Sequence, residues 1–329
     1  MIRHTKKLLV QSLKIALAAG IIFWLIQSGK LNFTALKNLL SPGFAAMGFV
    51  LISLNLFLGS ERWRALISSQ GIKAGPWEVF KLSLIGIFFN FAMPGGVGGD
   101  VIKAYYFYHD NPGNKIVAVT SVLMDRVLGL FAMIFLALMV MIYDFQHILS
   151  VPVLHTLFWI ILALFVGFVV ALGLIFSPGL YKSGVLKKGI ESLPLAEKFL
   201  KLYESMHLYG ANKFRLAIVL CLSMMSQTCA ILFLYLAATA AGYNDAPLKT
   251  FFLVAPLGFM ATAVPISPAG IGVGQAAFYF LFNLYIGRET ELGPTAITAY
   301  QVGSFIVSLA GAFFYLRRKS HSPAKAELP

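Results

Sequence analysis

The sequence predicts an all-α polytopic membrane protein with about six spanning helices and two re-entrant, broken-helix elements that form an inverted repeat. Hydrophobic residues make up 59% of the 329 residues and charged residues 12%, and the mean hydropathy is +0.81. A soluble domain cannot bury that much apolar surface. Several apolar stretches also reach the roughly 20 residues that cross a bilayer.

Six apolar segments are predicted to span the membrane. They are residues 8–27, 43–59, 116–142, 154–176, 214–241 and 294–316. The first follows a basic stretch, RHTKK, and resembles a signal peptide, but no small-residue cleavage site follows it. We therefore predict an uncleaved first span. We predict one transmembrane domain over residues 1–316, with repeat halves of about 1–143 and 154–316, and a disordered cytoplasmic tail over 317–329.

The distribution of Lys and Arg predicts that both termini are cytoplasmic. With the N-terminus inside, the inner segments hold 20 Lys and Arg residues and the outer segments hold four. Those inner segments are 1–7, 60–81, 100–115, 177–215 and 317–329. Lys and Arg that collect on the cytoplasmic side, beside anionic lipid, explain the net charge of +13. No nucleic-acid partner is therefore expected. The predicted location is the inner (cytoplasmic) membrane.

Two further apolar segments are interrupted by glycine and proline. Segment 79–108 is broken at PGGVGGD, and segment 248–285 is broken at PISPAGIGVG. Irregular backbone at membrane depth is tolerated only inside protein or beside water, so each break is predicted to be a re-entrant tip. Pro94 aligned on Pro268 gives a shared pattern, P-x-G-(V/I)-G, with three spans between the copies. Opposite orientation of two such copies is typical of an inverted repeat, and glycine-mediated helix packing is the alternative.

The two tips supply most of the residues that we predict to bind or transport a lipid. They are Asn90, Pro94, Gly95, Gly96, Gly98, Gly99, Asp100, Lys103, Ser267, Pro268, Gly270, Gly272 and Gln275. Glycine lets a ligand or another backbone approach closely, and helix N-termini suit a phosphate. Asn90 and Ser267 can bond either the freed backbone groups or a ligand. We expect leucine at Gly96 or Gly270 to impair function more than stability.

Three charged residues in or beside the spans are further candidates for the site. Arg126 lies about 15 Å inside its span, where an arginine faces a partner or a water-filled cavity. It is predicted to bind a lipid phosphate or to pair with Asp100. Asp125 points about 100° away from Arg126 and is predicted to contact another element. Arg62 lies in ERWR beside Trp63, which predicts snorkelling at the interface, with head-group capture as the alternative.

Four stretches together resemble the transmembrane domain of lysylphosphatidylglycerol synthases. They are RWRALISSQGI, SLIGIFFNFAMPGGVGGDVIKAYYFY, SVLMDRVLGL and PISPAGIGVGQAAFYFLF, within a similarity that runs from about residue 10 to 316. The resemblance implies a lipid flippase fold with two re-entrant elements from opposite faces. Multidomain members carry a soluble C-terminal domain that transfers an aminoacyl group to phosphatidylglycerol. Because this chain stops at residue 329, we expect a stand-alone member without that activity.

Two positions depart from the pattern of that family. Lys103 stands where Arg is common, which keeps the charge but loses the bidentate geometry that Arg offers a phosphate. Gln275 stands where Glu is common, which argues against an ionisable role or proton coupling at that position.

The sequence thus predicts a flippase-like protein that moves a phospholipid or isoprenoid-linked lipid between leaflets through a polar path between the tips. It has no Ser-His-Asp arrangement, metal cluster or Walker loop, so we predict no enzyme, catalytic residue, metal or cofactor. A membrane-embedded transferase acting on a lipid phosphate and a non-transporting scaffold for an envelope enzyme are the alternatives. The expected partners are membrane lipids with a phosphate head group, and a homo-oligomer or an envelope enzyme partner is left open.

Overall fold

A computed structural model describes residues 41–92, 98–113, 115–184, 189–191, 196–264 and 266–320. The described part is helical and contains no β-strand, which confirms the predicted all-α class. The predicted first span, the outermost part of the predicted tail and three candidate site residues, Pro94, Gly95 and Gly96, lie outside the described residues.

The helices are numbered in chain order through the described residues. They are α1 (Pro42–Ser69), α2 (Pro76–Ala92), α3 (Gly98–Asp110), α4 (Lys115–Tyr143), α5 (Phe145–Ser150), α6 (Pro152–Phe176), α7 (Pro178–Ser183), α8 (Ala196–His207), α9 (Lys213–Ala240), α10 (Leu248–Thr262), α11 (Val273–Ile286) and α12 (Leu292–Ser320). Short 3₁₀ turns lie at Leu208–Ala211 and Pro268–Gly270. Proline opens α1 and α6, where its missing N–H has no helical partner to lose.

Six stretches of the described chain are long and apolar enough to cross a membrane. Five are α1, α4, α6, α9 and α12, which match the predicted spans that begin at residues 43, 116, 154, 214 and 294. The sixth, Pro268–Ile286, belongs to the second interrupted segment. The predicted end of the first described span, residue 59, is wrong, because α1 continues to Ser69. Two of the residues beyond 59 have partners inside the protein, because Arg62 pairs with Asp125 and Trp63 donates a hydrogen bond to Ser121.

The first interrupted segment forms an antiparallel helical hairpin of α2 and α3. The Asn90 side chain accepts a hydrogen bond of 2.9 Å from the Gly99 backbone N–H. A Cβ at Gly99 would lie 1.9 Å from the Gly86 carbonyl oxygen, and the Lys103 side chain packs on Gly86. The residues after the break therefore pack alongside those before it, and α2 and α3 run antiparallel.

The second interrupted segment forms an antiparallel hairpin of α10 and α11. A Cβ at Gly274 would lie 2.9 Å from the Thr262 side chain, and one at Gly258 would lie 2.2 Å from the Phe278 ring. The chain reverses through the 3₁₀ turn Pro268–Gly270. Its two helices have 15 and 14 residues, so each is about 22 Å long, short of a hydrocarbon core of about 30 Å. The longer stretch Pro268–Ile286 includes the 3₁₀ turn as well as α11.

The two hairpins open toward opposite ends of α4. The first hairpin ends at Asp110, and α4 begins five residues later at Lys115. At the open end of the second hairpin, Lys249 and Tyr285 donate hydrogen bonds to Asp144, directly after α4 ends. Because α4 has 29 residues, these two ends are about 43 Å apart.

Helix α12 packs along both hairpins through glycines. A Cβ at Gly311 would lie 2.2 Å from the Leu84 carbonyl oxygen in α2, and one at Gly293 would lie 2.4 Å from the Phe278 carbonyl oxygen in α11. Small residues at these positions let helix backbones meet, as is common between membrane helices. One helix thus fixes both hairpins in the bundle.

Positive charge is concentrated at one end of the bundle, which we call the basic face. This end holds the open end of the first hairpin and the C-terminus of α12. Its described Lys and Arg residues are Lys73, Lys81, Lys115, Lys182, Lys198, Lys201, Lys213, Arg215, Arg317 and Arg318. The opposite face, at the open end of the second hairpin, has Lys249 and Arg288 among the described residues.

Candidate functional site

Close contacts join the ends of α2 and α3 that lie nearest the break. Asn90 satisfies the Gly99 N–H, one of the amide groups that a helix N-terminus leaves without a partner. Gly99 is needed because α2 and α3 touch there, with no room for a side chain. Of the two roles predicted for Asn90, the structure places its side chain on freed backbone. Gly98 opens α3, and Asp100, two residues further on, lies in the first turn, where a carboxylate suits the helix dipole.

Asp100 and Arg126 form an ion pair that connects the tip to α4. Arg126 Nε donates to Asp100 Oδ2 over 2.5 Å. The Asp100 side chain is 14% exposed and the Arg126 side chain is 48% exposed, so the arginine also reaches the molecular surface. The sequence predicted this pair as one of two roles for Arg126. The Arg126 side chain is therefore partly accessible from outside the protein.

A second ion pair lies next to the first and is buried. Arg62 Nε donates to Asp125 Oδ1 over 2.7 Å, and Lys103 Nζ lies 3.7 Å from Asp125 Oδ2. The Lys103 ammonium also lies 4.2 Å from the centre of the Trp63 ring. The predicted contact of Asp125 with another element is present, because its partners Arg62 and Lys103 lie on α1 and α3. The preferred interpretation of Arg62 as an interfacial, snorkelling residue is wrong: its side chain is 12% exposed and faces Asp125.

Arg62, Lys103 and Arg126, with Asp100 and Asp125, form what we call the charge network. It joins α1, α3 and α4, and its formal net charge is +1, with three cations and two carboxylates. Charges at membrane depth are costly unless they are paired or face water, so such groups usually mark a pathway or site. The extra positive charge suits an anionic ligand such as a phosphate.

The tip of the second hairpin has a constrained backbone. Gly270 and Gly272 have φ of +69° and +84°, and Ala269 has φ of +48°. Left-handed backbone favours glycine, and an alanine there is uncommon enough to suggest a functional constraint. Ser267 is 1% exposed, and its Oγ has no hydrogen-bond partner among the described residues. Pro268 opens the 3₁₀ turn, which itself contacts α2 of the first hairpin.

Gln275 holds this second tip through amide contacts. Its Oε1 accepts from the Gly272 N–H over 2.7 Å, and its Nε2 donates to Gln301 Oε1 over 2.7 Å and to Thr298 Oγ1 over 3.1 Å. The Gln301 amide in turn donates to the Ala269 carbonyl over 3.3 Å. A neutral amide supplies both the donor and the acceptor that these partners need. The role of Gln275 in the structure is to fix the tip to α12.

Several contributors to the site were not predicted. Trp63 donates a hydrogen bond to Ser121 over 3.1 Å, and its ring lies under the Lys103 ammonium. Only its neighbour Arg62 was predicted as a candidate site residue. Gly86 gives the first hairpin its close contact, and a lone glycine within an apolar helix carried no clear signal. Gln301 was missed because neutral polar residues in a span have no distinctive spacing. The described residues contain no cluster of three or more potential metal ligands.

The fold and its charges define a multi-pass α-helical membrane protein with two hairpins that open toward opposite faces. The chain belongs to the family of the lysylphosphatidylglycerol synthase TM region, which it matches over residues 11–311.

Two archaeal proteins are among its relatives. A UPF0104 membrane protein of Methanothermobacter thermautotrophicus is 24% identical over 317 residues, which is 92% of each chain. A UPF0104 membrane protein of Methanocaldococcus jannaschii is 31% identical over 104 residues, so that match spans only 31% of each chain. No solved structure matches the chain.

Proposed function

We propose that the protein moves a lipid with a phosphate head group between the leaflets of the membrane. The head group would pass through a polar path between the tips of the two hairpins, while its chains stay in the surrounding lipid. The observation that carries the proposal is the pair of hairpins, which open toward opposite faces of the bundle and contact each other through the turn Pro268–Gly270 and α2. We further propose that both hairpins are re-entrant and form an inverted repeat.

The charge network supports a phosphate as the transported group. Arg126 is half exposed and lies beside Asp125, whose carboxylate is already engaged by Arg62 and Lys103. A phosphate that approaches Arg126 would compete with Asp100 for the guanidinium. That competition gives a simple binding and release step, because the Asp100 pair re-forms when the lipid leaves. Charge-assisted bonds of this kind are the strong ones in proteins.

Leaflet exchange in vesicles tests the proposal. The purified full chain is reconstituted into phosphatidylcholine vesicles that contain head-group-labelled phosphatidylglycerol, and an impermeant quencher reports the outer leaflet. We expect exchange to be faster than in protein-free vesicles. Arg126→Gln should slow it by about tenfold or more, since it removes a charge-assisted hydrogen bond. Arg288→Gln is the matched control, because Arg288 pairs with Asp245 at the opposite face and both side chains are more than half exposed.

The same vesicles separate transport from the alternatives. Lipids extracted at the end are analysed by mass spectrometry, because a transferase acting on a lipid phosphate would change their mass. Exchange no faster than in empty vesicles would count against transport of this lipid class. Equal rates for Arg126→Gln and Arg288→Gln would remove the charge network from the path.

A further inference from the structure

A cleft of about 910 Å³ lies at the basic face, between the open end of the first hairpin and the C-terminal turns of α12. It lies at the open end of the hairpin, whereas the charge network begins at Asp100 in the first turn of α3, near the tip. Small-molecule sites typically have volumes of about 300–1,000 Å³, so the cleft can hold a head group. None of the residues proposed above for transport lines it.

The lining of the cleft is cationic. Lys73, Lys81, Arg317 and Arg318 contribute four positive charges, against two carboxylates. Arg318 pairs with one of these, Asp110, and lies 4.7 Å from the centre of the Tyr106 ring. In the described part of the chain, no acidic side chain lies within ion-pair distance of either lysine. The lysines therefore carry positive charge that the described residues do not neutralise.

Aromatic side chains of the kind found at membrane interfaces line the cleft. Trp77 and Tyr105 line it, and each is 57% exposed on the molecular surface. Exposed Trp and Tyr are typical of the head-group region of a bilayer, where one edge of the ring stays wet. The Trp77 ring meets the Phe314 ring edge-on at 5.7 Å, which connects α2 to α12 across the cleft.

The cleft at the opposite face has the reverse charge. It has a volume of about 670 Å³ and is lined by Asp245, Glu289, Glu291 and Arg288. Its three carboxylates outnumber its one cation, and no Trp lines it. An anionic head group is therefore attracted at the basic face and repelled at the other.

We propose that the basic-face cleft is a binding site for the phosphodiester head group of an anionic membrane phospholipid, with Lys73 and Lys81 as its principal contacts. The choice of a lipid rests on the proposed function, but binding at the cleft is measurable without transport. The exposed aromatic rings favour a lipid over free phosphate, because they would contact the glycerol and upper chain region.

Binding to the full chain in detergent micelles tests this inference. Tryptophan fluorescence is titrated with brominated phosphatidylglycerol and, separately, with brominated phosphatidylcholine; Trp77 in the cleft supplies a reporter. Lys73→Gln with Lys81→Gln should weaken phosphatidylglycerol binding by about tenfold or more and leave phosphatidylcholine binding unchanged. Lys73→Arg with Lys81→Arg should retain it. Lys198→Gln with Lys201→Gln, two exposed lysines on α8, is the matched control for net charge.

Each outcome decides the inference. A selective loss in the Lys73 and Lys81 variant supports the site, even if the protein exchanges no lipid in vesicles. An equal loss in the Lys198 and Lys201 control would show non-specific attraction and overturn it. Displacement of phosphatidylglycerol by inorganic phosphate at equal concentration would reassign the cleft to free phosphate. Retained binding in the glutamine variant, with unchanged far-ultraviolet circular dichroism, would also refute it.

Discussion

Asp125 is the residue on which the buried half of the charge network depends. It accepts from Arg62 and attracts Lys103, while Trp63 covers the lysine from the other side. Removing a buried partner leaves the remaining charges uncompensated, which usually costs more than the pair itself contributes. The Asp100–Arg126 pair differs because its arginine is half exposed. A structural role therefore fits Asp125 best, and a ligand-exchanging role fits Arg126 best.

A double-mutant cycle checks whether Asp100 and Arg126 are coupled. Asp100→Asn should lower the free energy of unfolding by about 1–3 kcal/mol, since it removes a charge-assisted hydrogen bond. Combining it with Arg126→Gln should recover part of that loss, with a coupling energy of about 0.5–3 kcal/mol. Thermal unfolding of the four variants in detergent supplies the numbers. Strictly additive losses would mean that the two side chains do not interact in the folded protein.

At the scale of elements, each hairpin depends on a close backbone contact. In the first hairpin, a Cβ at Gly99 would clash with the Gly86 carbonyl, and a backbone carbonyl cannot shift without moving the helix. In the second, Gly270 adopts a positive φ and its Cβ would lie 2.6 Å from the Thr262 Cβ. This corrects the expectation for Gly270: a leucine there should impair the fold as well as any function. Gly96 lies outside the described residues, so its expectation stays a prediction.

Gly99→Ala should destabilise the protein by about 1–3 kcal/mol, because the added methyl group separates α2 from α3. Gly86→Ala should also destabilise the protein but by less, because its Cβ would lie 2.7 Å from the Lys103 side chain, against 1.9 Å from backbone at Gly99. Gly167→Ala in α6 is the control: nothing lies within 4 Å of its Cβ, so alanine should be neutral or stabilising by up to about 1 kcal/mol. Melting temperatures in detergent rank the three. A Gly99→Ala protein as stable as Gly167→Ala would refute the tight hairpin contact.

The second hairpin is also anchored at its open end, through Asp144. Burial opposes ionisation of this carboxyl, but hydrogen bonds from Tyr285 and Lys249 outweigh that effect and lower the pKa of Asp144 below its ordinary value. A group with a lowered folded-state pKa stabilises the fold above its unfolded-state pKa, about 3.9 for Asp, and loses that effect as the pH falls through the folded-state value. The anchor is therefore present at neutral pH and lost in acid.

Asp144→Asn should lower stability at neutral pH by about 1 kcal/mol, a modest value because Lys249 is 41% exposed. The difference from wild type should shrink as the pH falls below about 3.9 and vanish once the pH is below the folded-state pKa of Asp144. Asp245→Asn serves as control, because its pair with Arg288 is more than half exposed on both sides and should contribute little. Thermal unfolding at a series of pH values provides the comparison. A constant difference across the series would show that ionisation of Asp144 does not stabilise the fold.

The order and orientation of the spans could be predicted from the sequence, because hydropathy acts over many residues. Individual side-chain contacts between helices could not. The three apolar spans between the two interrupted segments predict opposite orientations for them, and the hairpins open toward opposite ends of α4. The Arg62–Asp125 contact was missed because ERWR follows the apolar run directly, which is also typical of a helix end. The Gln275–Gln301 contact joins residues on separate helices, and sequence spacing does not report such pairs.

The arrangement of the bundle in the membrane is the last prediction. Residues at the two faces lie about 43 Å apart, as far as a bilayer with its head groups is thick. Gln146 and Glu289 are exposed at the opposite face, and Lys73 and Lys201 are exposed at the basic face. Single cysteines at these four positions, with Cys221 and Cys229 replaced by serine, are labelled in intact cells with an impermeant maleimide.

We expect the cysteines at 146 and 289 to react in intact cells and those at 73 and 201 to react only after permeabilisation, because Lys and Arg collect on the cytoplasmic side. The two parts of this result are separable. If 146 and 289 react together and 73 and 201 react together, the hairpins open to different sides of the membrane. Which of these two pairs reacts in intact cells then tests the rule that Lys and Arg collect on the cytoplasmic side. The reverse pattern would invert the proposed orientation but keep the hairpin geometry. Reaction of 146 and 73 from the same side would contradict the geometry, because α4 would then not cross the membrane.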